Sequence, residues 1–260
     1  MIQVEELLRY YPENLWPFRE FILREYLQHK ILQIVFDQTE VTGKLCFLGG
    51  TCLRIVHGNS RFSEDIDFDN LGLDQGGFER LAGAIAKQLS RDGYEVEIRT
   101  VLKSAFHCYV RFPGILFQPG LSGHAEQKIL IQLDTEPQHY VFKPDWFIIN
   151  KFDVFTEVPV APLNLLLAQK FYTIVNRKRA KGRDFFDVTF LLGKGVKPDY
   201  EYLKIKMDVG NSQALKEIIL QTTAKLDMKA MAHDVAPFLF AADDAKKVEL
   251  FEKYLKQVDL

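Results

Sequence analysis

Cysteine is scarce in this chain. Three residues of 260, Cys46, Cys52 and Cys108, carry a thiol, and no C-x-x-C links them. That excludes a disulfide framework and a cysteine-built zinc site, and the pattern predicts reduced core thiols in a cytoplasmic protein. Long apolar runs are also missing. The longest, such as Leu165-Leu166-Leu167-Ala168, fall far short of the roughly 18 residues a membrane span needs. No charged and then apolar leader opens the chain, so neither secretion nor a membrane partner is expected. Charge of one sign is not in excess: 33 Lys and Arg face 35 Asp and Glu, a net of −2, which rules out a polycation. With 47% hydrophobic and 26% charged residues the composition is that of a folded globular protein, not a disordered one. The six histidines are scattered without an H-E-x-x-H, and no G-x-G-x-x-G, Walker-type Gly-Lys-Ser/Thr or G-x-S-x-G occurs.

The near-zero total hides an asymmetry. From residue 161 onward 17 Lys and Arg stand against 13 Asp and Glu, a net of +4, which leaves 16 against 22, a net of −6, for residues 1–160. The hydrophobic pattern changes at the same place. Asn14 to Asp37 has helical spacing, Leu45–Leu48 reads as a short buried strand, and Phe62 to Phe68 reads as a second strand. Phe78–Leu89 reads as a helix. Tyr94–Leu102, Ala105–Phe112 and Lys128–Asp134 alternate as strands do. Pro159 and Pro162 then punctuate the chain, and nearly everything beyond has a helical period. The expected organisation is an α+β or α/β unit over residues 1–160 and a helical unit over 161–260.

Three features carry chemistry. The first is Arg61-Phe62-Ser63-Glu64-Asp65-Ile66-Asp67-Phe68. On a strand, Asp65 and Asp67 project to one face about 6.5–7 Å apart while Ile66 and Phe68 bury. Two such carboxylates suit a hard divalent cation that also takes phosphate oxygens; a solvated strand face has the same look. The run is not a calcium loop, because its sixth position is Asn70 and its twelfth is Gly76. The second feature is Leu48-Gly49-Gly50-Thr51, a strand ending in two glycines before a helix. It is either a phosphate cradle at a helix N-terminus or a plain tight turn capped by Thr51. Next to the carboxylate strand it reads as a phosphate cradle beside a metal site. The third is Lys170, set inside the apolar stripe of Leu163, Leu166, Leu167, Phe171 and Ile174, where a lysine either snorkels outward or meets anionic groups. Five cations between Arg177 and Arg183 follow it, and then Asp184-Phe185-Phe186-Asp187. Those two aspartates are read as a helix cap with its reciprocal partner or as site acids.

Taken in order, Phe47-Leu48-Gly49-Gly50-Thr51-Cys52-Leu53-Arg54, the Arg61–Phe68 string, Lys170 and Arg183-Asp184-Phe185-Phe186-Asp187 resemble the AbiEii (abortive-infection toxin) nucleotidyltransferases of the DNA-polymerase-β-like superfamily. The match runs from about residue 45 to 192. The resemblance implies an α+β fold: a nucleotidyltransferase-type mixed sheet flanked by helices, then a mainly helical C-terminal domain contributing lysine and aspartate to the site. It implies transfer of a nucleoside monophosphate from an NTP to an RNA or tRNA end or a protein hydroxyl, with release of pyrophosphate. It also implies a toxin with a cognate antitoxin. By this resemblance Asp65 and Asp67 bind two Mg²⁺ ions, and Gly49, Gly50 and Thr51 hold the triphosphate. Lys170 neutralises it, Asp184 or Asp187 completes the site, and Arg54, Arg61, Ser63 and Arg183 support the nucleotide. One departure stands out. Gln132 falls where the family's third carboxylate is expected, and Asp134 lies two residues on along the same face. Either Asp134 serves by a shift in register, or the member dispenses with that acid, or it is a weak or silent nucleotide- or partner-binding module.

Overall fold

The computed structural model describes residues 3–117, 120–124 and 126–260. The chain forms two compact units, one of Met1–Gly58 with Phe62–Val160, the other of Asn59–Arg61 with Ala161–Leu260. No helix of the described residues is long and apolar enough to cross a membrane.

In chain order the first unit runs α1 (Val4–Leu8), α2 (Arg19–Phe36), β1 (Leu45–Leu48), α3 (Gly49–Ile55), β2 (Ile66–Asn70), α4 (Gln75–Arg91), β3 (Glu97–Leu102), β4 (Phe106–Phe112), β5 (Ile129–Glu136), β6 (Asp145–Lys151) and β7 (Val154–Val160). The seven strands form one mixed sheet in the order β3-β4-β5-β2-β1-β7-β6. The β2–β5 and β1–β7 pairs are parallel and the others antiparallel. A parallel neighbour needs a crossover; between β2 and β5 the chain supplies α4 and the β3–β4 hairpin. Helix α4 starts cleanly because Asp74 caps it, its Oδ1 accepting from the Gly77 N–H at 2.7 Å. Helices α2 and α4 pack on the sheet and on each other. Against them lie alternate strand residues such as Phe68, Cys108, Val110, Ile131 and Leu133, all buried. Each such large apolar side chain contributes about 1.5–3 kcal/mol.

The second unit is helical throughout its long segment: α5 (Leu163–Asn176), α6 (Gly182–Gly193), α7 (Tyr200–Met207), α8 (Ser212–Thr223), α9 (Met228–Val235), α10 (Lys246–Glu249) and α11 (Phe251–Gln257). Phe171, Phe185, Phe186 and Phe251 fill its core, with Phe185 and Phe251 edge to face at 5.1 Å. Helices α6 and α9 come so close that a Cβ on Gly182 would strike the Met231 carbonyl. The Gly182 N–H donates to Asp234 Oδ2 at 2.8 Å.

The α+β class is as expected, and three local readings change. The helix read from Asn14 begins as a 3₁₀ segment, Glu13–Phe18, because Pro17 cannot donate in an α-helix; α2 proper starts at Arg19. The second strand starts at Ile66, not Phe62, so Asp67 lies on β2 and Asp65 just before it. Asp184 does not cap α6. Lys181 occupies the cap position, and Asp184 sits inside the first turn, its N–H donating to the Lys181 carbonyl.

Candidate functional site

The short β1 strand and the glycines after it create the site's geometry. Gly49 has φ of +80°, a region where glycine pays no steric penalty, and it turns the chain directly into α3. A Cβ there would run into the Asp67 carboxylate. Glycine at 49 therefore lets the β1–α3 turn lie directly against the Asp67 carboxylate. The residue at the cap position of α3 is Leu48, whose side chain makes no cap bond. Thr51 is fully buried, and its hydroxyl donates to the Asp65 main-chain carbonyl, fixing the segment that leads into β2. Gln28 of α2 fixes the same segment from the other side: its Nε2 donates to the carbonyls of Ser63 at 3.0 Å and Glu64 at 2.9 Å. Gly49, Thr51, Ser63, Asp65 and Asp67 thus belong to one braced corner of the first unit.

Strand register shows which of Gln132 and Asp134 lies level with Asp67. Asp67 pairs with Leu48 on β1 and with Asp134 on β5, and Asp134 pairs in turn with His107 on β4. Directly paired residues share a face, so His107, Asp134 and Asp67 form one transverse row on adjacent strands about 4.8 Å apart. Asp134, not Gln132, is level with Asp67. Its carboxylate is heavily engaged: His107 Nδ1–H donates to Oδ1 at 2.6 Å, and Gln132 Nε2 donates to Oδ1 at 2.7 Å and Oδ2 at 3.0 Å. The side chains of His107 and Asp134 are each 31% exposed, which leaves them reachable. Neither His107 nor the orienting part of Gln132 was legible as chemistry, because the β4–β5 register is set across a long connection with no local signal.

Arg54 does different work in the same unit. Its Nε reaches Glu25 Oε2 at 2.7 Å and its Nη2 reaches Oε1 at 3.1 Å, while its guanidinium lies over the Phe62 ring. Lys151 Nζ and the Tyr11 hydroxyl also donate to Glu25, both at 2.8 Å. Burial pushes the Glu25 carboxyl up, but the charges of Arg54 and Lys151 outweigh it and bring it down to about 2. His29 beside it is held to about 4 by burial, so it is neutral at pH 7.

In the second unit Asp187 is the hub. Arg61 grips it in a bidentate pair, Nε to Oδ1 and Nη2 to Oδ2, both at 2.7 Å. Asn59 Nδ2 adds a bond at 2.8 Å and Lys170 Nζ an ion pair at 2.7 Å. Lys170 also meets Asp184 Oδ1 at 3.1 Å, and Arg177 Nη1 meets Asp184 Oδ2 at 2.8 Å. Burial raises the Asp187 carboxyl, but Arg61 and Lys170 together lower it to about 2. Burial lowers Lys170, and Asp187 and Asp184 more than restore it, so it stays charged. The lysine set in the apolar stripe is thus paired with both aspartates of the Asp184–Asp187 string. Arg183 places its guanidinium over the Phe238 ring at 4.8 Å.

The donor chemistry at Asp65 and Asp67 fits magnesium. Mg²⁺ takes one or two carboxylates from protein and completes its shell with water and substrate phosphate. No group of three or more His, Cys, Asp or Glu placed to hold a metal occurs among the described residues.

Comparison with known proteins gives a family and a fold. The sequence model of the family "Nucleotidyl transferase AbiEii toxin, Type IV TA system" matches residues 30–257. No curated protein matches the chain by sequence. Among solved structures, the chain is similar in fold to MenT4, a nucleotidyltransferase toxin from Mycobacterium tuberculosis, with a TM-score of 0.59 and 14% identity over 100% of this chain and 91% of that one. It is likewise similar to JHP933 from Helicobacter pylori, with a TM-score of 0.52 and 17% identity over 92% of this chain and 94% of that one.

Proposed function

The chain belongs to the AbiEii family of nucleotidyl transferase toxins, and from that premise we propose that it is a Mg²⁺-dependent enzyme moving a nucleoside monophosphate from an NTP to an acceptor hydroxyl, on an RNA or tRNA end or on a protein. The observation that carries the reading is the braced corner: Asp67 packed on the Gly49 turn and level with Asp134, and Asp65 tied down through Thr51.

In this reading Asp65 and Asp67 hold Mg²⁺, which when bound neutralises phosphate charge and favours attack at the α-phosphorus. The turn at the start of α3, with Gly49 and Gly50, receives the triphosphate. Thr51 acts from within, keeping the Asp65 main chain in place, and Arg54 acts through Glu25 on the packing of α2 with α3. The acceptor O–H loses its proton, its oxygen bonds to the α-phosphorus, and the bond from that phosphorus to the bridging oxygen breaks as pyrophosphate leaves. Lys170, Asp184, Asp187, Arg61 and Arg183 enter the same proposal as residues of the helical unit that the transfer requires. The toxin reading adds a cognate antitoxin as the biological counterpart.

The test incubates the full chain with each α-labelled NTP, Mg²⁺ and total RNA or cell protein. Label should pass to one acceptor class, vanish with a chelator, and be lost in Asp65→Ala and Asp67→Ala. Equal labelling by wild type and Asp67→Ala overturns the assignment. NTP binding without transfer in the wild type would make the chain a silent nucleotide-binding module.

A further inference from the structure

We propose that His107, held by Asp134, is the proton acceptor for the attacking hydroxyl. The inference rests on the transferase reading and goes beyond it by naming the base. Asp134 is the group that holds the imidazole. Three hydrogen bonds from two donors already occupy its two oxygens, one from His107 and two from Gln132.

The same bonds equip His107. An ionised carboxylate only accepts, so Nδ1 must carry the hydrogen of the 2.6 Å bond. In the neutral ring that leaves Nε2 with a lone pair, the tautomer a proton acceptor requires. A carboxylate that fixes an imidazole's tautomer and orientation is the arrangement by which the histidine of a Ser-His-Asp triad removes a hydroxyl proton. Gln132 completes it. Its amide donates to both Asp134 oxygens and holds the carboxylate in plane, which gives a physical reason for glutamine at the position where an acid was expected.

Placement agrees with the role. His107 lies two strand spacings from Asp67 in the same row, about 10 Å between backbones. Asp134 stands between them in that row, so the imidazole and Asp67 border the same sheet face from either side of it. Tyr109 flanks the imidazole with ring centroids 6.5 Å apart, and the imidazole remains partly exposed. In the step, the acceptor O–H bond breaks, its proton passes to His107 Nε2, and its electron pair forms the new O–P bond. Pyrophosphate departs with the electrons of the old one, and the imidazolium then returns its proton to water.

The experiment measures label transfer by the full chain carrying His107→Ala, His107→Gln or Asp67→Ala, with and without added imidazole. Both His107 variants should lose about 10²–10⁴ in kcat, with the KM for NTP within about threefold of wild type. Free imidazole should restore part of the rate to His107→Ala and nothing to Asp67→Ala, an effect that a purely structural role would not produce. Wild-type turnover in the His107 variants, or a loss that imidazole leaves untouched, overturns the assignment. If wild type transfers label and Asp67→Ala does not while His107→Ala keeps pace, only this inference falls. If the wild type transfers nothing, the transferase reading falls with it.

Discussion

Replacing Asp187 by Asn removes one charge from a site with almost no solvent, and the structure sets the cost. Asp187 is 0% exposed and Arg61 1%. The Asp187 carboxyl falls from an ordinary 3.8 to about 2, and at about 1.4 kcal/mol per tenfold that corresponds to about 2 kcal/mol of native-state preference for the charged form. A second route starts from the partner. Breaking a buried pair strands the remaining ion, at about 3–5 kcal/mol. Asn59 and Lys170 stay nearby and Asp184 still pairs with Lys170, so the lower end applies, about 3 kcal/mol. For a chain of this size that is a fall in Tm of about 6–12 °C. Urea unfolding followed by helical circular dichroism measures it directly. Because the folded value is depressed, this stability is complete above 3.8 and disappears as pH falls toward about 2; Asp187→Asn should lack that acid-dependent loss. The double variant Arg61→Met, Asp187→Leu should lose less than the two single changes added together, by at least about 1 kcal/mol. A loss under about 1 kcal/mol in Asp187→Asn, or full additivity in the double variant, would refute the hub assignment.

Two further outcomes follow from local geometry. Gly49→Ala must accept a positive φ and displace the Asp67 carboxylate, so it should lower stability by at least about 1 kcal/mol and abolish label transfer; calorimetry and the transfer assay read the two separately. All three cysteines are buried, and burial pushes the Cys46 and Cys108 thiols up to about 12 and raises Cys52 well above its ordinary value. A thiol reagent should therefore modify none of them in the native protein at pH 8 and all three in denaturant.

What could be read from the sequence was whatever local pattern encodes. Leu45–Leu48 was legible as a strand because four buried residues end abruptly at Gly49-Gly50. The helical character beyond Pro162 was legible because Leu165, Leu166, Phe171 and Ile174 recur on one stripe. Charge partners were not. Arg54 finds Glu25 across 29 residues and Arg61 finds Asp187 across 126, and no window of sequence contains either pair. The β6–β7 hairpin escaped for another reason: Trp146, Ile148 and Phe155 are all more than half exposed, so alternation there does not separate an apolar face from a polar one. At the candidate site, Asp65 and Asp67 stood out by spacing. The row that joins Asp67 to Asp134 and His107 exists only once the strands are paired.

The assignment of Asn59–Arg61 to the helical unit has a consequence for inheritance and synthesis. Those three residues precede the rest of their unit by about a hundred positions, yet the Asp187 hub is complete only with them. The helical unit is therefore not a detachable appendage. A gene fragment beginning at residue 161 would encode helices whose central carboxylate lacks its guanidinium, and one ending at residue 160 would leave that guanidinium without its counter-ion. During translation, Arg61 leaves the ribosome long before Asp187 does, so the hub forms late. Recombination can exchange this unit only by cutting the chain in three places, which favours descent of the two units together.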